Sequence, residues 1–186
     1  MGNINENINC YATHVQKEVL AQLITYPDIE KNFYLTGGTA LSVFYLHHRL
    51  SDDLDLFTKD SSNLAESAFW ITTNWPKESA KIKEAGQFLS LLIKDVRVDF
   101  VVDTLSSDEE RQIYMFENVH YLSVDTISNI MSNKFSTVES RSQPKDIIDM
   151  FMILKTITST KIEDLYQKFQ NRKNSVEYHV HSHLDG

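Results

Sequence analysis

Asp53 and Asp55 stand two residues apart in "SDDLDLF", and Asp99 lies alone inside the apolar run "VRVDFVV". In an extended strand alternate side chains leave the same face, so Asp53 and Asp55 project together while Leu54 and Leu56 turn toward a core. Two carboxylates held that close repel unless they share a proton or a cation. Hard oxygen ligands at this spacing suit Mg²⁺, which takes one or two carboxylates and leaves its other positions to water and phosphate oxygens. The alternation of Val98 and Phe100 against Arg97 and Asp99 presents a third carboxylate, from a strand expected beside the Asp53 strand. Three carboxylates on two strands predict room for two metal ions, one activating an attacking hydroxyl and one steadying a leaving pyrophosphate.

A glycine pair precedes the acids in "LTGGTALSVFYLHHRLSDDLDLF". Gly37 and Gly38 let backbone N–H groups approach a phosphate, the helix that follows directs the positive end of its dipole to the same place, and Thr39 adds a hydroxyl donor. Taken singly, a GGT turn is an ordinary strand-to-helix turn and Asp-x-Asp an ordinary pair of surface acids. Their conjunction with a lone Asp in an apolar strand singles out phosphate and metal chemistry.

The elements that must position these residues follow from periodicity and breakers. Apolar residues at helical spacing over Thr13 to Tyr26 predict a helix ending near Pro27, and Asn32 to Leu35 a short strand stopped by the glycines. Thr39 to His47 reads as a helix, Leu54 to Thr58 as a strand, and Ser61 and Ser62 as caps of a helix reaching Asn74 before Pro76. "KIKEA", "QFLSLLIK" and "VRVDFVV", with Gly86 and Asp95 at the turns, predict an antiparallel part of the sheet. A polar loop at Ser106 to Glu110 precedes a last short strand at Val119 to Leu122. Asp125 is placed to cap a helix to Arg141, Pro144 opens another to Ile157, and Lys161 to Lys173 forms a third. The chain is α/β first and helical last, with no internal repeat. We divide it into an α/β core at 1–122, a helical lobe packed on the core at 123–175, and a polar tail at 176–186.

The 186 residues are 41% hydrophobic and 24% charged, an ordinary globular composition. No apolar run reaches the roughly 18 residues of a membrane span, and the polar start "MGNINENINC" is unlike a secretory signal. One cysteine, Cys10, can make no internal disulfide, so a reducing cytoplasmic setting is expected. A formal charge of −8 argues against binding a polyanion over the whole surface. Lysines and arginines recur between Lys134 and Lys173, where they form either a nucleic-acid contact or the solvated faces of helices.

At Leu35 to Phe57 the chain resembles nucleotidyltransferase-fold proteins of the AbiEii/AbiGii toxin family, whose pattern is a GG-[ST]-AL turn followed by R-x-S-x-D-[ILV]-D-[LF]. Arg49, Ser51, Asp53, Asp55 and Phe57 match in order. The family's later basic and Asp-x-x-Asp motif resembles "KFSTVESRSQPKDIIDMF", through Lys134, Arg141, Lys145, Asp146 and Asp149. The resemblance implies a polymerase-beta-like nucleotidyltransferase core, a small mixed sheet flanked by helices, with a short helical C-terminal lobe closing over the nucleotide. It implies that Gly37, Gly38, Thr39 and Ser51 bind the triphosphate and that Asp53, Asp55 and Asp99 are catalytic and bind Mg²⁺, with Asp99 as a general base. It further implies that Lys134, Lys145 and Asp146 meet nucleotide or acceptor. The expected function is transfer of a nucleoside monophosphate from an NTP to a hydroxyl, on RNA such as tRNA, by the toxin of a toxin–antitoxin or phage-exclusion system with a cognate antitoxin protein. A small-molecule or protein acceptor, a non-catalytic nucleotide- or partner-binding module and a phosphohydrolase are the alternatives.

Other residues have plainer expectations. His47 and His48 finish a helix, and Arg49 pairs with Asp52 or reaches a phosphate. Asp146 and Asp149 otherwise cap and solvate a helix whose opposite face, Ile147, Ile148 and Phe151, is buried. Trp70 and Trp75 belong to the core. The alternating histidines of "EYHVHSHLDG" are a polar tail or a transition-metal site.

Overall fold

A computed structural model describes residues 4–104, 106, 111–116, 119–141, 143–158, 162–167 and 169–171, without the side chains of 139–141. The chain divides into two compact units, 1–126 and 127–186.

The first unit is built on one seven-stranded mixed sheet in the order β3-β4-β5-β2-β1-β7-β6. Its strands are β1 (Phe33–Thr36), β2 (Leu54–Thr58), β3 (Ser79–Ala85), β4 (Phe88–Ile93), β5 (Val96–Val102), β6 (Gln112–Phe116) and β7 (His120–Val124). β3, β4 and β5 form the expected antiparallel ladder. Lys94 and Asp95 close one of its hairpins with φ of 49° and 65°, the left-handed pair that a two-residue turn needs to match strand twist. β2 runs parallel to β5 and antiparallel to β1, which in turn runs parallel to β7. β2 is therefore interior, and Leu54 and Leu56 are fully buried with Phe100 of β5. β6, which pairs antiparallel with β7, was not expected, although four residues of "QIYMF" are apolar or aromatic as strands favour; it lies at the edge of the sheet with Ile113 and Met115 exposed.

Among the described residues the α-helices of this unit are α1 (His14–Leu23), α2 (Pro27–Asn32), α3 (Gly37–Ala40) and α4 (Ser62–Asn74), with a 3-10 turn at Ile8–Cys10. The Thr13 side chain accepts from the Gln16 amide and starts α1. α3 continues as a wider π-type turn over Leu41–Leu46. His47 ends it in the left-handed region, its amide donating to the Ser42 carbonyl at 3.0 Å, as expected of a helix-finishing residue. At α4 the capping expectation is corrected: Asp60, not Ser61, accepts from the Ser62 amide at 2.9 Å. Trp70 and Trp75 are also not core; both are half-buried and meet edge to face, with Tyr26 stacked on Trp70.

The second unit contains α5 (Ile127–Arg141) and α6 (Pro144–Thr156), with further helix at 162–167 and 169–171. Residues 161, 168, 172 and 173 of the expected third helix, and the whole 176–186 tail with its histidines, lie outside the described residues, as does 107–110 of the expected loop. Asp125 stands two residues before α5, and its carboxylate accepts from the Thr126 amide at 3.0 Å. It is fully buried, accepts from Thr36 Oγ1 at 2.8 Å and pairs with Arg111 at 3.5 Å, anchoring the end of β7 to β1.

The face of α6 is inverted relative to expectation. Asp146 and Asp149 are 2% and 0% exposed, whereas Ile147, Ile148 and Phe151 are 53%, 49% and 56% exposed. The reason is Lys134 on α5, whose ammonium lies 2.7 Å from each of the two carboxylates. A buried cation shared by two anions places the polar side of the helix inward.

Candidate active site

Gly37 is the first residue after β1 and takes φ of +69°, a conformation in which a Cβ would crowd the backbone. A second constraint is steric: a Cβ on Gly37 would sit 2.0 Å from Asp55 Oδ2. Thr36 pairs with Asp55 across the β1–β2 ladder, so the register itself sets the Asp55 carboxylate against the glycine turn. A Cβ on Gly38 would lie 2.5 Å from Arg49 Nη2 and 2.8 Å from Ser51 Oγ. The two glycines thus hold open the space into which Arg49, Ser51 and Asp55 pack. The turn and the later Arg-x-Ser-x-Asp-x-Asp segment are two halves of one surface.

Asp53 lies just before β2 and is half-buried, like Asp55. Its backbone is fastened from below. Thr39 is fully buried and its hydroxyl donates to the Asp53 carbonyl, while Gln16 Nε2 donates to the same oxygen at 3.3 Å. Thr39, expected to offer its hydroxyl to a phosphate, is instead turned toward the backbone that carries Asp53. Gln16 had no signal in the sequence beyond its place on an amphipathic helix.

Asp99 is brought in by the parallel pairing of β2 and β5, in which Asp55 and Asp99 are direct partners. Paired residues on adjacent strands show their side chains on one face, so the expected neighbourhood is present. Asp99 is 8% exposed, and it is already engaged. Arg97 donates from Nε to Oδ1 at 3.0 Å, with Nη2 3.0 Å from Oδ2, and Ser90 Oγ donates to Oδ1. The bond to Asp99, with Asp53 and Asp55 also nearby, holds the Arg97 guanidinium above its usual pKa. Arg97 was not singled out in the sequence, although its i, i+2 relation to Asp99 on one strand places both on one face.

The expected cluster of three carboxylates about shared metal ions is not assembled: among the described residues no three Asp, Glu, His or Cys side chains group closely enough to hold an ion. Asp99 is instead engaged by Arg97 and Ser90. The residues whose chemistry fits a divalent cation are Asp53 and Asp55, hard carboxylate oxygens half-buried at the start of β2.

In the second unit Lys134, Asp146 and Asp149 are joined in one buried cluster, and one oxygen of Asp146 has no hydrogen-bond partner among the described residues. Lys145 beside them is half-exposed, and the Arg141 side chain lies outside the described residues.

The family model for the nucleotidyl transferase AbiEii toxin of type IV TA systems matches residues 18–184, and the chain belongs to that family. It is a nucleotidyltransferase. No curated protein matches it. Among solved structures, the antibiotic-resistance factor ANT(2″)-Ia is similar with a TM-score of 0.62 at 16% identity, over 91% of this chain and 100% of its own. JHP933 from Helicobacter pylori is similar with a TM-score of 0.53 at 17% identity, over 97% and 81%. The Megavirus polyadenylate synthase is similar with a TM-score of 0.51 at 14% identity, over 76% of this chain and 31% of its own. These likenesses show that the mixed sheet and its helices have the nucleotidyltransferase fold.

Proposed function

We propose that this nucleotidyltransferase is Mg²⁺-dependent, moves a nucleoside monophosphate from an NTP to a hydroxyl of RNA, and acts as the toxin of a two-protein system with its own antitoxin. The observation that carries the reading is the seating of Asp55, Arg49 and Ser51 on the Gly37-Gly38 turn, because it gathers phosphate donors and carboxylates at one strand mouth. The first-turn N–H groups lack intrahelical partners and would receive the triphosphate, with the Ser51 hydroxyl as a further donor. Asp53 and Asp55 would hold the Mg²⁺, which supplies charge neutralisation of the triphosphate when bound.

In the reaction the acceptor oxygen attacks the α-phosphorus, the bond to the α,β-bridging oxygen breaks, and pyrophosphate leaves. Asp99 takes the hydroxyl proton, and Arg97 orients that carboxylate through its two-point contact. Thr39 and Gln16 fix the Asp53 backbone. Lys134 and Asp146 hold α5 to α6, while Lys145 contributes to acceptor binding.

The family's description as a toxin of a TA system supports the biological role. A second reading, a small-molecule hydroxyl as acceptor, is favoured by the likeness to ANT(2″)-Ia, which has been seen in complex with adenylyl-2″-tobramycin. Incubation with each α-labelled NTP, Mg²⁺ and either total cellular RNA, total protein or a panel of aminoglycosides separates the two. Label on an RNA band is the expected result. Label only on an aminoglycoside would move the acceptor to the second reading.

A further inference from the structure

Two threonines bracket the glycine pair, Thr36 before it and Thr39 after it, and neither hydroxyl serves the amides of the turn. Thr36 is the N-cap residue of α3, which continues through its π-type turn to Leu46. Its backbone is extended, with φ of −134° and ψ of −163°, as an N-cap residue requires. A threonine at that position ordinarily accepts with its side chain from the amide two or three residues further on, here Gly38 or Thr39. Thr36 makes no such cap bond. Its hydroxyl donates instead to Asp125 Oδ2 at 2.8 Å, and the Thr39 hydroxyl donates to the Asp53 carbonyl.

Asp125 is set firmly beside the turn. Its amide donates to the Leu35 carbonyl at 2.9 Å, and its own carbonyl accepts from the Tyr45 hydroxyl at 2.7 Å. One buried residue therefore grips the strand before the glycines and the helical segment after them. The second carboxylate oxygen accepts from the Thr126 amide at 3.0 Å and lies 3.5 Å from Arg111 Nε. Threonine has a single heavy-atom side-chain torsion, so the charge-assisted bond that sets it also decides whether Oγ1 can reach the amides of α3.

We infer that Asp125 is a positioning residue for nucleotide binding: by holding the Thr36 hydroxyl away from α3, it keeps the Gly38 and Thr39 amides available to a substrate phosphate. The inference rests on the reading of the glycine turn as the triphosphate site. A threonine that capped its own helix would satisfy the donors that the phosphate needs.

The test compares the full wild-type chain with Thr36→Val, Asp125→Ala and the double variant, each checked for folding by circular dichroism. Amide exchange is read from ¹H–¹⁵N spectra of the free proteins, and binding of each of the four NTPs with Mg²⁺ from amide shifts and calorimetry. Thr36→Val has no hydroxyl to withhold, so exchange at Gly38 and Thr39 should match wild type and NTP affinity should stay within about twofold. Asp125→Ala keeps the backbone bonds to Leu35 and Tyr45 but frees the Thr36 hydroxyl. Exchange at the two amides should slow, and NTP affinity should fall roughly fivefold, the order of competition from one N-cap bond. Adding Thr36→Val to Asp125→Ala should restore affinity, a rescue that a merely structural Asp125 would not give. Three results would overturn the assignment: undiminished affinity in Asp125→Ala, a loss there that Thr36→Val does not rescue, or faster exchange at Gly38 or Thr39 in Thr36→Val alone. The last decides the matter even if Asp125→Ala does not fold. If NTP shifts neither amide in the wild-type chain, the triphosphate site lies elsewhere and the inference falls with that reading, whereas wild-type shifts without rescue overturn only the role of Asp125.

Discussion

Glycine at position 37 is required twice over, once by its backbone and once by its neighbour. Alanine there adds the cost of a left-handed conformation, about 1–2 kcal/mol, and drives a methyl group into the Asp55 carboxylate 2.0 Å away. Gly86 offers the control, since its φ is +54° but a Cβ there meets nothing within 4 Å. Gly86→Ala should therefore lose only the conformational part in a denaturant melt, with transfer intact. Gly37→Ala should lose more stability, by about 1–3 kcal/mol, and lose transfer with it. At this scale the sequence was most legible where the chemistry is local: the Asp53 and Asp55 pair, and the glycines, stand out by type and spacing. What the glycines accommodate was not legible, because the contact with Asp55 depends on the β1–β2 register and that with Arg49 and Ser51 on tertiary packing. The turn of Thr39 away from the phosphate side has the same origin.

Among the elements, strands β2, β4 and β5 and the helix starts at Thr13 and Pro144 follow from alternation, capping and proline, and the structure places them as read. Edge strand β6 and the face of α6 do not. A helix carrying both apolar and acidic residues has two candidate inner faces, and only the partner helix decides between them; Lys134 settles it for Asp146 and Asp149. Lys134→Met should consequently cost about 3–5 kcal/mol, the penalty for leaving buried carboxylates without their cation. Phe151→Ser, on the exposed side of the same helix, should cost about 1 kcal/mol or less. Thermal melts of the two variants give the ranking, and the reverse order would contradict the inverted face.

For the molecule as a whole, alkaline stability follows from its buried phenols. Burial raises Tyr11, Tyr34 and Tyr45 above the ordinary tyrosine value, and burial with the neighbouring Glu6 pushes Tyr114 up to about 12. A raised folded-state pKa favours the protonated phenol, so this stability is fully present below pH 10.0, the unperturbed value, and is lost as pH climbs toward about 12. Unfolding monitored by circular dichroism should stay flat up to about pH 10 and then coincide with tyrosinate absorbance. The fold class was legible from the order of the elements, and the family from the motif at Leu35 to Phe57. The central claim, that Asp53 and Asp55 at the glycine turn carry nucleotidyl transfer, is tested most directly by pyrophosphate release from NTP by Asp53→Asn and Asp55→Asn variants, each shown to be folded by circular dichroism. The account predicts a fall of roughly a thousandfold in each, several kcal/mol of lost transition-state stabilisation; wild-type release from either folded variant would contradict it.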